Sequence, residues 1–124
     1  MKRVLIADDE PIERMIVSRT VEKYFSEELT VVSAANGREA VEQFFAGDCQ
    51  IALLDIEMPG MNGLEAAEQI RKRDKNCSII FLTAFDEFNY AKRAIAVRAM
   101  EYLLKPVEDQ ELVAVLEEAV RIAE

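Results

Sequence analysis

The sequence predicts an α/β domain built on one parallel sheet of five strands, with helices covering both faces. Three observations carry this expectation. Apolar runs of strand length recur five times, segments of helical period separate them, and a length of 124 residues suits one domain, residues 1-124, better than two.

The elements follow in chain order. Val4-Leu5-Ile6-Ala7 is a continuous apolar run that stops at Asp8, Asp9 and Glu10, and it reads as the first strand. Pro11 sits where a first helical turn begins; Ile12, Met15, Ile16 and Thr20 follow on one face, the stripe expected to meet the core. Leu29 to Ala34 contains Thr30 and Ser33 and reads as an edge strand. Asn36-Gly37 is a turn, after which Ala40, Val41, Phe44 and Phe45 make an apolar stripe ended by Gly47 and Asp48. Ile51 to Leu54 is the third strand. Leu64, Ala67 and Ile70 then line a third helix, whose outer face carries Glu68 and Lys72 at pairing distance in sequence. Ile79 to Leu82 is the fourth strand, and a weaker helix spans about Phe88 to Val97. Met100 to Leu104 completes the sheet. The last helix repeats Leu112, Val115, Leu116, Ala119, Val120 and Ala123 after the acidic start Glu108-Asp109. The first, third and fourth strands are the most continuously apolar and so belong at the centre. Right-handed crossovers then give a flavodoxin-like doubly wound (βα)5 sandwich of strand order 2-1-3-4-5.

Composition removes several function classes. Fifteen Lys and Arg against twenty-four Asp and Glu leave a formal charge of -9, which repels polyanions and disfavours direct nucleic-acid binding. Two distant cysteines and no histidine allow neither a disulfide framework nor a Cys/His zinc site, and a cytoplasmic setting is expected. The apolar run after Met1-Lys2-Arg3 is too short for a signal peptide, and no stretch reaches the roughly eighteen apolar residues of a membrane span. Cys49 and Cys77 are expected to pack inertly, and Phe88 and Tyr90 to fill or cover core.

Four strands end abruptly in polar residues: Ala7 gives way to Asp8 and Asp9, Leu54 to Asp55, Leu82 to Thr83 and Leu104 to Lys105. Strands of a parallel sheet point the same way, so these residues gather at one edge, where such folds bind ligands. Three crowded carboxylates repel one another, and protonation of one would relieve the repulsion. A hard divalent cation relieves it too; oxygen ligands without histidine or thiolate suit Mg²⁺, and no EF-hand spacing favours calcium. A lysine and a threonine hydroxyl beside that cation suit a phosphoryl group. Asp55, on a central strand, is the candidate nucleophile, leaving Asp8 and Asp9 to hold the metal. Singly, each residue has a plainer reading. Asp8 and Asp9 could serve a helix dipole, Asp55 a turn, Thr83 a strand end, and Lys105 could be a solvated cation.

In order and spacing these residues resemble the receiver domain of two-component response regulators along essentially the whole chain. Asp8-Asp9-Glu10 is similar to that family's acidic motif, Asp55-Ile56-Glu57-Met58-Pro59-Gly60-Met61-Asn62-Gly63 to its phosphoacceptor loop, and Thr83-Ala84 and Lys105-Pro106 complete the set. The resemblance implies that Asp55 accepts a phosphoryl group from a histidine of a sensor kinase, giving an acyl phosphate. It implies that the Asp9 and Asp55 carboxylates and the Glu57 backbone carbonyl ligate Mg²⁺, with Asp8 acting mainly through a metal-bound water. Lys105 would pair with phosphoryl oxygens and precede a cis peptide at Pro106. Thr83 and Tyr102 would form a switch that repacks the surface of the fourth helix, fifth strand and fifth helix, where a partner or a second copy docks as a homodimer.

Phe85-Asp86-Glu87-Phe88-Asn89-Tyr90-Ala91 is similar to the branch whose receivers precede an AraC-type DNA-binding output domain, so control of transcription is implied. The 124 residues hold no such domain, and an excised or stand-alone receiver is expected. Glu57 and Phe85 occupy positions that, in the family, influence how quickly the phosphoryl group is lost. The resemblance implies a switch that catalyses only its own phosphorylation and dephosphorylation. A phosphatase of the haloacid-dehalogenase type would need an aspartate where Glu57 stands and a cap over its pocket. An interaction module that is never phosphorylated would not need the Asp, Thr and Lys set, and no G-x-G-x-x-G or P-loop supports nucleotide binding.

Overall fold

The computed structural model describes residues 1–124 and alternates strand and helix from end to end. The strands are β1 (Lys2–Ala7), β2 (Leu29–Ala34), β3 (Ile51–Leu54), β4 (Ser78–Thr83) and β5 (Glu101–Leu104). The helices are α1 (Pro11–Phe25), α2 (Gly37–Ala46), α3 (Gly63–Arg73), α4 (Phe88–Ala96) and α5 (Asp109–Ala123). All strand pairings are parallel and the order is β2-β1-β3-β4-β5, as the apolar continuity of the runs predicts. Every residue of β3 and β4 is buried, whereas β2 and β5, at the edges, keep residues in solvent.

Strand alternation divides the interior into two cores. Leu5, Ala52, Leu54, Ile79 and Phe81 point to one face, where Ala40 and Phe44 of α2, Leu64 and Ile70 of α3 and Ala94 of α4 meet them. Val4, Ile6, Ile51, Leu53, Ile80 and Leu82 point to the other, against Val17 and Val21 of α1 and Leu112 and Leu116 of α5. Full burial of each such aliphatic side chain stabilises the fold by about 1.5–3 kcal/mol. The layering leaves the carboxyl edge of the sheet uncovered between the helix layers.

Three expectations are corrected. The buried face of α1 is Val17, Thr20, Val21 and Phe25, while Ile12, Met15 and Ile16 are exposed. The helix carries two apolar stripes on nearly opposite sides, and the sheet takes the one that ends in the large Phe25 ring. Glu68 does not pair with Lys72; it meets Arg93 of α4 at 3.1 Å, where a guanidinium reaches across the helix-helix groove. Phe88 does not fill or cover core, for it stands almost wholly in solvent on the outer face of α4. No helix is long and apolar enough to cross a membrane.

Candidate functional site

Sheet register makes neighbours of residues far apart in sequence. Ala7 of β1 pairs with Leu54 of β3, so Asp8 and Asp55 emerge side by side, and the Asp55 N–H donates to the Ala7 carbonyl at 2.9 Å. Thr83 pairs with Leu104, and the Lys105 N–H donates to the Thr83 carbonyl at 2.8 Å. Lys105 then turns its ammonium across the sheet edge. Nζ donates to Asp8 Oδ2 at 2.8 Å and to Asp55 Oδ2 at 3.4 Å. Both carboxylates and Thr83 are buried.

Backbone groups fix the remaining oxygens. Asp8 Oδ1 accepts from the Glu10 N–H at 3.0 Å, and Asp55 Oδ1 accepts from the Ile56 N–H at 2.7 Å. Ligand oxygens of Asp8, Asp9 and Glu10 lie within 4.8 Å of one another. The donor set is therefore all oxygen, with two buried anions and one partly buried ammonium, and it fits a hard cation such as Mg²⁺.

The electrostatics follow from this crowding. Burial raises the Asp55 pKa; Lys105 opposes the rise, the Asp8 charge adds to it, and the Ile56 N–H and Thr83 hydroxyl favour the ionised form. Carboxylate repulsion therefore contributes, as expected, but desolvation leads. Burial pulls Lys105 down, yet its hydrogen bond to Asp8 and the Asp55 and Asp8 charges outweigh that and leave its pKa raised. Cys49 and Cys77 are buried thiols pushed up to about 11, chiefly by desolvation, and stay protonated.

The loop after Asp55 is pinned by its own sequence. Asn62 accepts from the Glu65 N–H at 2.9 Å while Glu65 accepts from the Asn62 N–H at 3.0 Å, a reciprocal cap that starts α3. A Cβ at Gly63 would stand 1.8 Å from the Asp55 carbonyl oxygen, so only glycine lets α3 begin against the backbone of Asp55.

On the other side of the site the contacts are aromatic and polar. Thr83 Oγ1 accepts from the Phe85 N–H at 3.3 Å, and the Phe85 carbonyl accepts from the Tyr102 hydroxyl at 2.5 Å. Tyr102 thus reaches the β4–α4 loop rather than Asp55, with its ring 6.2 Å from that of Phe81. Glu57 turns its carboxylate to α4, where the Tyr90 hydroxyl donates to it at 2.5 Å. That bond pushes the Tyr90 pKa up to about 12. Two clefts open here. One, of about 520 Å³, runs past Asp9, Glu57 and Tyr90; the other, of about 630 Å³, holds Asp55, Lys105 and Phe85 and continues between α1 and α5 past Ile16 and Leu112.

Asp8, Asp55, Thr83 and Lys105 are therefore brought together as the sequence predicts, with Asp9 and Glu57 on the rim. The Arg14 guanidinium, which donates to the Asp8 carbonyl at 2.6 Å, was not foreseen; Tyr90 does pack against the core as expected, but its bond to Glu57 was not foreseen. Nothing local in the sequence marks either, because both act across elements.

The comparisons agree with this geometry. A family model for the response regulator receiver domain matches residues 4–117. The positive alginate biosynthesis regulatory protein of Pseudomonas aeruginosa is 41% identical over 118 residues, 95% of this chain and 47% of that protein, so the chain spans about half of that relative's length. The chemotaxis protein CheY of Thermotoga maritima is 36% identical over 93% of this chain and 94% of its own. The response regulator TrrA of Thermotoga maritima, solved in complex with Mg²⁺ and BeF, superposes with a TM-score of 0.82 at 39% identity, covering 96% of this chain and 99% of that one. With strand order, acidic edge and family match in agreement, the chain belongs to the response regulator receiver domains of two-component signalling.

Proposed function

We propose that this chain is a phosphorylation-driven cytoplasmic switch in which Asp55 accepts a phosphoryl group from the histidine of a sensor kinase. One observation carries the reading: Lys105 holds the Asp8 and Asp55 carboxylates together at 2.8 and 3.4 Å, at the convergent ends of three strands. In the transfer, an Asp55 carboxylate oxygen forms the new bond to phosphorus. The bond from phosphorus to the histidine nitrogen breaks, and that nitrogen keeps its electron pair. Lys105 neutralises the arriving oxygens, and the Thr83 hydroxyl donates to one of them. Asp9, the Asp55 carboxylate and the Glu57 carbonyl are the residues that would hold Mg²⁺, with Asp8 reaching it through water. When bound, the ion would supply positive charge that neutralises the phosphoryl oxygens, and TrrA was solved with Mg²⁺ and BeF.

The output follows from the neighbours of Thr83. Drawing its hydroxyl toward the phosphoryl group releases the Phe85 N–H, and the β4–α4 loop that Tyr102 holds can then move. The surface of α4, β5 and α5, where Phe88, Ile95 and Leu104 are exposed, is the face that meets a partner or a second copy. Control of transcription through a further domain is consistent with the Pseudomonas relative, which is described as a regulatory protein. Catalysis is limited to the switch's own loading and hydrolysis.

The test is incubation with acetyl phosphate and Mg²⁺ followed by intact mass measurement. A phosphate-sized gain is expected in the unaltered protein, lost with a chelator and absent in Asp55→Asn. No gain, or a gain that survives Asp55→Asn, sinks the assignment. Steady turnover of a small phosphomonoester would instead favour the phosphatase reading.

A further inference from the structure

Three polar ties fasten α4 to its surroundings. At its C-terminal end the buried Arg71 of α3 donates to the carbonyls of Val97 at 2.8 Å and Arg98 at 3.2 Å. Midway, Arg93 meets Glu68. Near its start, Tyr90 donates to the Glu57 carboxylate. Apolar packing adds little, since Ala94 is the one buried residue of the helix, and no side chain caps its N-terminus.

Seen from the loop, the same bond matters more. Ile56 is held on both sides, its N–H on Asp55 Oδ1 and its carbonyl on the Gly63 N–H, and Asn62 is locked by the reciprocal cap. Glu57 lies between them, and the bond from Tyr90 is the hydrogen bond it makes. A residue read as a metal ligand through its carbonyl is thus positioned by a helix on the switching side of the molecule. The Tyr90 ring also stands edge-on to Phe85 at 6.5 Å, next to the residue that Thr83 and Tyr102 share.

We infer that Tyr90 is a positioning residue for the Mg²⁺ site, which it orders by holding Glu57, so that occupancy of the site and the placement of α4 are one linked equilibrium. The inference rests on the magnesium reading given above. Linkage makes the effect reciprocal: whatever Tyr90 adds to ion affinity, the ion adds to the hold on α4. A tyrosine that merely covers the cleft would do this equally well without its oxygen.

The experiment uses Tyr90→Phe, Glu57→Ala and the double variant in the full chain. Mg²⁺ is titrated by calorimetry, and amide hydrogen exchange is followed across residues 85–96 with and without the ion. Tyr90→Phe is expected to weaken Mg²⁺ binding about fivefold, the lower end of typical coupling, and to speed exchange in the first turns of α4. It should add nothing in the Glu57→Ala background, and Mg²⁺ should slow α4 exchange in the unaltered protein but not in Tyr90→Phe. Unchanged affinity and exchange in Tyr90→Phe, or the same change in both backgrounds, overturns the inference. If the unaltered protein binds no Mg²⁺, the metal reading fails and the link with it. Exchange in Tyr90→Phe then reports on the α4 tie alone.

Discussion

Helices α3 and α4 lie side by side on the same face of the sheet, and each follows a strand that delivers a site residue, yet they are held in opposite ways. α3 opens with a reciprocal cap, begins against the Asp55 carbonyl and buries Leu64, Ala66, Ala67 and Ile70 completely. α4 has no side-chain cap and one buried residue; Phe88 is 81% and Ile95 77% exposed, and polar ties do most of the fastening. Regions with few buried apolar contacts open at lower free energy than those sewn into the core. The difference teaches where a signal can go: the helix that follows Asp55 is part of the frame, and the helix that follows Thr83 is free to respond.

The largest test of that contrast is a pair of truncations. Leu64→Ala in α3 should cost about 2–5 kcal/mol of unfolding free energy and Ile95→Ala in α4 less than about 0.5, measured by urea titration. Equal costs would erase the distinction. A second test takes the switching side alone: Tyr102→Ala, phosphorylated to the same extent as the unaltered protein, should lose most of any phosphorylation-dependent self-association seen by analytical ultracentrifugation. Unchanged association would reject the path from Thr83 through Phe85 to Tyr102.

The smallest effect concerns the rigid side. Because the folded-state pKa of Asp55 is raised, chiefly by burial, folding favours its protonated form. Its contribution to stability is complete below the ordinary aspartate pKa and is lost as pH rises through the higher folded value. At neutral pH the ionised group therefore costs stability. With chelator present, Asp55→Asn should melt a few degrees above the unaltered protein at neutral pH, with the gap closing under acid. Lys105 keeps Asp8 as a partner in that variant, so its own charge is not stranded. A gap that widens under acid would contradict the sign.

The sequence made the sheet legible because strands buried on both faces must read as continuous apolar runs, and those runs rank β1, β3 and β4 above the edges. The site was legible for a related reason: polar residues that end such runs can only collect at the carboxyl edge. The working face of α1 was not, since Ile12, Met15 and Ile16 compete with Val17, Val21 and Phe25 for the same period, and only the sheet decides between them. Tyr90 and Arg71 were missed because each acts on a group more than 25 residues away in sequence, with no local spacing to reveal it.

The missing side chain at Gly63 sets a direction for recoil. With backbone pressed against backbone behind it, Asp55 stands on an anvil and, under the proposed phosphoryl transfer, would have no room to retreat from a bulky dianion. Room for such a group would then be found ahead of Asp55 or to one side, where the cleft edged by Phe85 opens. A bulkier residue at that glycine would therefore disturb signalling without touching any ligand, by letting the blow be absorbed where it lands.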